Sequence, residues 1–175
     1  MLWPERAWPV APRPFDDETF GSWFGRVASR YRVGIDELAE DAGVVLEVDP
    51  TCRGWLTMPP PVGESLQRLA WLARLSPSAL SSLVCERPSS RWLSFCHLCL
   101  FLNPIDVEEP YWRARWIVQT DRWCATHRVQ LAYVLCSRTA TSRNLTKLLN
   151  HMSRHRVTRF RWERDLIDYG AASKV

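Results

Sequence analysis

Between Asp16 and Tyr31 the apolar residues Phe20, Trp23, Phe24, Val27 and Tyr31 recur at intervals of three and four, the stripe of an amphipathic helix entered at Pro14 and Asp16. Gly34 breaks that stripe. The run Ile35 to Gly43 then predicts a second, short helix, and the two joined by a tight glycine turn form a helix-turn-helix-like pair. Beyond Pro59-Pro60-Pro61, the spacing of Leu66, Leu69, Ala70, Leu72 and Leu75 predicts a third helix. Ser76-Pro77 supplies a serine cap and a first-turn proline for a fourth, which runs through Leu80 and Leu83. Two helix pairs with one apolar face each predict a small helical bundle over 16–90.

The periodicity changes at both ends of this bundle. Met1 to Phe15 carries Trp3, Trp8 and several prolines without a helical period, so an extended segment is expected over 1–15. From 91 to 136, Cys, His, Pro and aromatics crowd together, and Trp116-Ile117-Val118 and Leu131 to Leu135 predict short extended pieces. In 137–175, Ser142 to Met152, with Leu145, Leu148, Leu149 and Met152 on one face, and Arg161 to Tyr169 are helix-compatible. The expected fold is mainly α, with a small zinc-finger or zinc-ribbon-like module after the bundle and a basic helical tail.

Composition sharpens this picture in two places. An apolar fraction of 46% and ten Trp supply a core, while no apolar run reaches the roughly 18–20 residues needed to cross a bilayer. The start of the chain lacks a basic patch followed by an apolar stretch. A cytoplasmic protein without membrane contact is expected, and its six Cys would then be reduced thiols rather than disulfides. Charge is uneven: residues 1–136 hold 14 Arg against 16 acids, whereas 137–175 hold nine basic residues against three acids.

Reduced thiols make metal binding the natural reading of Cys96-His97-Leu98-Cys99 and Cys124-Ala125-Thr126-His127, two pairs separated by 24 residues. A two-residue gap lets a tight turn aim both side chains at one ion. Two such turns complete the tetrahedron of three thiolates and one imidazole that structural Zn2+ prefers. Four protein ligands leave no open position for catalysis at the metal. Cys52, Cys85 and Cys136 read as structural, although Cys136 also stands where a second, incomplete finger would begin. The chain shows no paired-carboxylate metal site, no Gly-rich phosphate loop ending in Lys-Ser or Lys-Thr, and no nucleophile motif, so an enzyme is not expected.

With these residues in order, the chain resembles the TniQ family. Pro12 to Ala28 is similar to the family's opening, in which a proline and an acidic pair precede a helix bearing Ser-Trp and an Arg. Leu69 to Leu80 follows its helix, Leu-Ser turn and helix. Cys96-His97-Leu98-Cys99, then Tyr111-Trp112-Arg113-Ala114-Arg115-Trp116, then Cys124-Ala125-Thr126-His127 follow its order of Cys pair, Tyr-Trp-Arg-x-x-Trp and Cys-x-x-His. Two departures stand out: His97-Leu98 replaces the usual proline of the first pair, and Arg128 replaces the usual glycine after the finger histidine. The resemblance covers roughly residues 12–136 and is to the short members encoded beside CRISPR effectors.

The resemblance implies a non-catalytic adaptor in DNA transposition. Such an adaptor links target recognition, as DNA or through an RNA-guided CRISPR effector and its guide RNA, to an AAA+ ATPase transposition regulator of the TnsC or TniB type. Two surfaces are candidates for contact. Arg154, Arg156, Arg159, Arg161 and Arg164 interleave with Phe160 and Trp162, a composition suited to phosphates and bases; the bland alternative is an amphipathic helix docked on the domain. Trp3 and Trp8 sit in an extended segment of the kind that docks on a partner, or else fold back on their own core. The second helix of the helix-turn-helix carries Asp36, Glu37, Glu40 and Asp41, which repel a DNA backbone and favour protein contact. Tyr111, Trp112 and Trp116 read as packing for the small module, the alternative being a base-stacking platform. The competing function is a free-standing zinc-containing helix-turn-helix transcription regulator that binds duplex DNA alone.

Overall fold

The computed structural model describes residues 6–46, 54–83, 91–101, 109–119 and 121–154. Eight helices and a two-stranded antiparallel sheet lie among them. The first pair is α1 (Phe20–Tyr31) and α2 (Ile35–Ala42). The predicted stripe is the buried one: Phe20, Trp23, Phe24 and Val27 are fully buried. The helix nevertheless starts four residues later than the stripe suggested. Thr19 caps it by accepting the Ser22 amide at 3.1 Å, while Asp17 and Glu18 pair with a distant segment: the Ala114 amide donates to the Asp17 carbonyl and the Thr19 amide to the Trp112 carbonyl. Tertiary hydrogen bonds thus outcompete the extra helical turn. Arg32, in the left-handed conformation, ends α1, and Glu37 opens α2 by accepting the Gly34 amide at 2.8 Å.

The second pair is α3 (Gly63–Ala73) and α4 (Pro77–Ser81); α4 begins as the sequence indicated, with the Ser76 hydroxyl accepting the Ala79 amide at 3.1 Å, but Leu75 and Leu83 lie just past the ends of the two helices. A single 3-10 turn, Trp55–Thr57, precedes it and lies directly on α1. This approach explains two glycines. A Cβ on Gly21 would stand 2.1 Å from the Trp55 carbonyl oxygen, and one on Gly25 would stand 2.7 Å from the Trp55 ring. Only hydrogen at those positions lets the turn seat against the helix.

The remaining elements are short. The strand β1 (Trp92–Phe95) pairs antiparallel with β2 (Ala132–Leu135), placing Phe95 opposite Ala132 and Trp92 opposite Leu135. Between them come α5 (His97–Phe101) and α6 (Ala114–Val118); after β2 come α7 (Cys136–Ala140) and α8 (Leu145–Arg154). Leu131 to Leu135 contributes the expected strand. The expected extended piece at Trp116 to Val118 is instead the body of α6: three apolar residues in a row carry no period, and here two adjacent ones, Trp116 and Ile117, are both buried. Leu145, Leu148, Leu149 and Met152 form the buried face of α8, which packs on α1. One core runs without interruption from Phe20 to Met152. Bundle and cysteine-rich region share it.

Residues 6–15 form an extended strap over this core. The Trp8 amide donates to the Leu72 carbonyl at 2.8 Å, the Trp23 indole to the Pro12 carbonyl at 2.8 Å, and Tyr31 and Val10 exchange two hydrogen bonds. Trp8 is half-buried, its ring 6.3 Å from that of Tyr31. Trp3 lies outside the described residues.

Candidate metal centre

Cys96 and Cys99 are positioned by the end of β1 and the first turn of α5, where the Leu100 amide donates to the Cys96 carbonyl. Cys124 and His127 stand on a tight knuckle. The Arg128 amide donates to the Cys124 carbonyl at 2.7 Å, the Cys124 amide to Val129, and Trp123 bridges to Gln130. Because β1 and β2 pair in register immediately beside these turns, the two ligand pairs are brought face to face. Arg128, the residue after the knuckle histidine, takes the left-handed conformation at φ 52°. That conformation favours glycine, because a Cβ is strained there.

The four candidate donor atoms lie within 4.8 Å of one another. The Cys99 and Cys124 sulfurs are 3.7 Å apart, and His127 Nδ1 lies 3.6, 3.2 and 3.7 Å from the sulfurs of Cys96, Cys99 and Cys124. A tetrahedral zinc ion, with bonds of about 2.3 Å to sulfur and about 2.0–2.1 Å to nitrogen, sets its donors about 3.5–3.8 Å apart. The arrangement fits. Cys96 and Cys124 are buried, Cys99 and His127 half-buried, and the His127 amide adds a hydrogen bond to the Cys124 sulfur at 3.5 Å.

The electrostatics point the same way. The Cys99 thiol, aided by a backbone amide, stabilises the Cys96 thiolate and draws its pKa down to about 4. Cys99 is pushed up in turn, first by its hydrogen bond to Cys96 and then by burial and the neighbouring sulfurs. One thiolate forms readily here, and a second is resisted by like charge. A dication relieves that conflict, which is what a set of converging thiols without a nearby cation lacks. Four protein donors close the coordination sphere, so the role of such an ion is structural.

A buried polar network ties this centre to the bundle. Glu18 accepts from Arg26 Nε and Nη2, both at 2.9 Å, and from the Ser22 hydroxyl at 2.8 Å, while Ser22 Oγ accepts the Trp112 amide at 2.8 Å. Burial pushes the Glu18 carboxyl above the usual carboxylate range, and Arg26, Ser22 and the Phe15 amide act against that shift. Asp17 accepts from Arg113 and Tyr111, both at 2.9 Å. Trp112 and Trp116 are buried edge to face in the shared core, which removes them as base-stacking surfaces. Sequence reasoning missed this network, although its signal was present in the acidic pair Asp17-Glu18, Arg26 and Tyr111-Trp112-Arg113.

The other sequence-derived candidates fall elsewhere. Cys136 is buried at the start of α7 and is not part of the cluster, and Cys52 and Cys85 lie outside the described residues. His97 is half-buried and not among the converging donors. Arg154 ends α8, whereas Arg156, Arg159, Arg161 and Arg164 lie outside the described residues. Among the described residues no helix is long and apolar enough to cross a membrane.

Comparison with curated proteins yields no match. The family model TniQ matches residues 9–131, a stretch that opens in the strap, takes in the whole bundle and closes just past the metal-ligand knuckle. Since that is well over half of the chain and includes all four converging Cys and His residues, the chain belongs to the TniQ family of transposition-associated adaptors.

Proposed function

We propose that this chain is a non-catalytic adaptor that couples recognition of a transposition target to an AAA+ ATPase regulator of the TnsC or TniB type. The family match over residues 9–131 carries the reading. Target recognition in this proposal is direct, through DNA, or indirect, through an RNA-guided CRISPR effector. The converging Cys96, Cys99, Cys124 and His127 hold one structural Zn2+, which clamps the knuckle to β1 and α5 and so keeps the shared core closed. Arg154, Arg156, Arg159, Arg161 and Arg164 contact nucleic acid, and Trp3 and the exposed edge of Trp8 contribute to partner contact.

The helix-turn-helix pair supports an adaptor better than a free-standing transcription regulator. In α2, Ile35, Leu38, Ala39 and Ala42 are buried, which leaves Asp36, Glu37, Glu40 and Asp41 on the exposed face. A helix presenting four carboxylates repels phosphates, whereas it suits a basic patch on a protein. The test is co-purification of the full chain with the ATPase regulator encoded in the same transposon, with and without ATP. A stable, nucleotide-dependent complex is expected. No association, together with tight sequence-specific DNA binding by the chain alone, would establish the regulator instead.

A further inference from the structure

We infer that the solvent face of α7 and α8 is a preformed platform for the phosphodiester backbone of duplex DNA, with Arg138 and Lys147 as its principal contacts. The surface lies beyond residue 131, where the family match ends. It rests on the adaptor reading only in that DNA is the polyanion chosen.

Three observations carry the inference. The first is charge. From Arg122 to Trp162 the chain contains no Asp or Glu and nine Arg or Lys. Among the residues of that stretch whose side chains are described, only Arg143 forms an ion pair, with Glu37 of α2. Arg138 and Lys147 are exposed and carry no ion pair, in contrast to Arg26, Arg30, Arg113 and Arg115, which all meet a carboxylate. The second is placement. Lys147 and His151 are one helical turn apart on α8, and Arg138 Nη1 on α7 lies 3.4 Å from His151 Nε2. The two cations therefore flank one patch, with exposed Asn150 as a further donor beside them. From Lys147 to the end of α8 the ridge is about 10 Å long, or about three base-pair steps along a duplex.

The third is rigidity. The opposite face of α8 is buried on α1, and its first turn and the two residues before it are pinned by three hydrogen bonds: the Thr146 amide to Ser29 Oγ at 3.0 Å, Asn144 Nδ2 to the Val33 carbonyl at 2.7 Å, and the Ile35 amide to the Arg143 carbonyl at 2.8 Å. Cations on such a scaffold meet phosphates without ordering a segment first, which lowers the entropic cost of binding. The acidic face of α2, joined to this unit through Glu37 and Arg143, repels the same backbone and sets the orientation of approach.

The test uses the full chain, its metal retained, and a labelled duplex of random sequence, read by fluorescence anisotropy from 50 to 200 mM salt. Arg138→Ala/Lys147→Ala should weaken binding at least about tenfold at the low-salt end and reduce the slope of log affinity against log salt by about 2, roughly one unit for each phosphate left without its cation. Arg6→Ala/Arg74→Ala, which removes equal charge elsewhere, should change affinity less than about threefold. Both variants should keep the parent circular dichroism and thermal midpoint, because all four side chains are exposed. Binding within twofold of the parent with an unchanged slope overturns the inference, as does an equal loss in the control pair or a preference for duplex RNA over duplex DNA. Absence of duplex binding by the parent also overturns it. Capture of the ATPase regulator in a parallel assay reports on the adaptor reading separately.

Discussion

The bundle and the cysteine-rich region share one core, yet they reach it by different physics. In the bundle, α1, α2 and α3 are 12, 8 and 11 residues long, each with an apolar stripe that pays for its own ordering by burial. In the cysteine-rich region β1, β2, α5 and α6 are four or five residues each. Elements that short are unstable alone, and the pairing of the strands brings ligands together rather than burying a broad face. The bundle is held by packing alone, whereas the cysteine-rich region adds to its share of the core four converging donors that a metal ion would crosslink. Removing packing should therefore loosen everything, whereas removing the metal should loosen one side first.

Chelation provides the largest test of that contrast. Stripping the metal, or substituting Cys96→Ser, should abolish amide protection over 91–101 and 121–135, since zinc binding in small modules contributes on the order of 10 kcal/mol to folding. Protection in α1 and α3 should outlast it, as read by hydrogen exchange. Simultaneous loss in all four segments would show that the regions form one cooperative unit. Arg26→Ala comes next in size. It leaves Glu18 buried without its cation, a defect worth about 3–5 kcal/mol, measured by denaturant unfolding. Because that pair sits where the regions meet, both should be destabilised together.

Proton linkage distinguishes the two modes in another way. Cys99 is pushed above the ordinary thiol range, so it enters the site protonated at pH 7 and must lose a proton to bind metal. Cys96, drawn down to about 4, contributes none above about pH 5. Zinc affinity should thus rise with pH across the neutral range, and calorimetry in buffers of different ionisation enthalpy should detect at least one proton released. No proton release would refute this account of the thiol cluster. Smaller effects close the series. Ser76→Ala should cost about 1 kcal/mol through the lost cap of α4. Arg128→Gly should raise the thermal midpoint, contributing up to about 1 kcal/mol by relieving the left-handed backbone of the knuckle.

The ligand spacing identified four residues as one site, and the fold brings those four together because the strands flanking the two turns pair in register. The strand β1 was illegible, since the four residues Trp92 to Phe95 are too few for a period to register, and the one polar residue among them, Ser94, is buried like its neighbours. The late start of α1 was hidden for a different reason: Asp17 and Glu18 suit a helix locally, but Arg113 and Arg26 claim their side chains from 8 to 96 residues away.

By itself the sequence determined the helical stripes, the serine cap of α4 and the two short-spaced pairs Cys96/Cys99 and Cys124/His127, because each depends on residues within one or two turns of chain. Only the tertiary structure decided that the strap lies along its own bundle, that Trp112 packs into an interior shared with α1 rather than into a module of its own, and that the cysteine-rich region and the bundle share that interior. Those outcomes depend on which distant groups satisfy buried polar atoms, and local spacing holds no record of that competition.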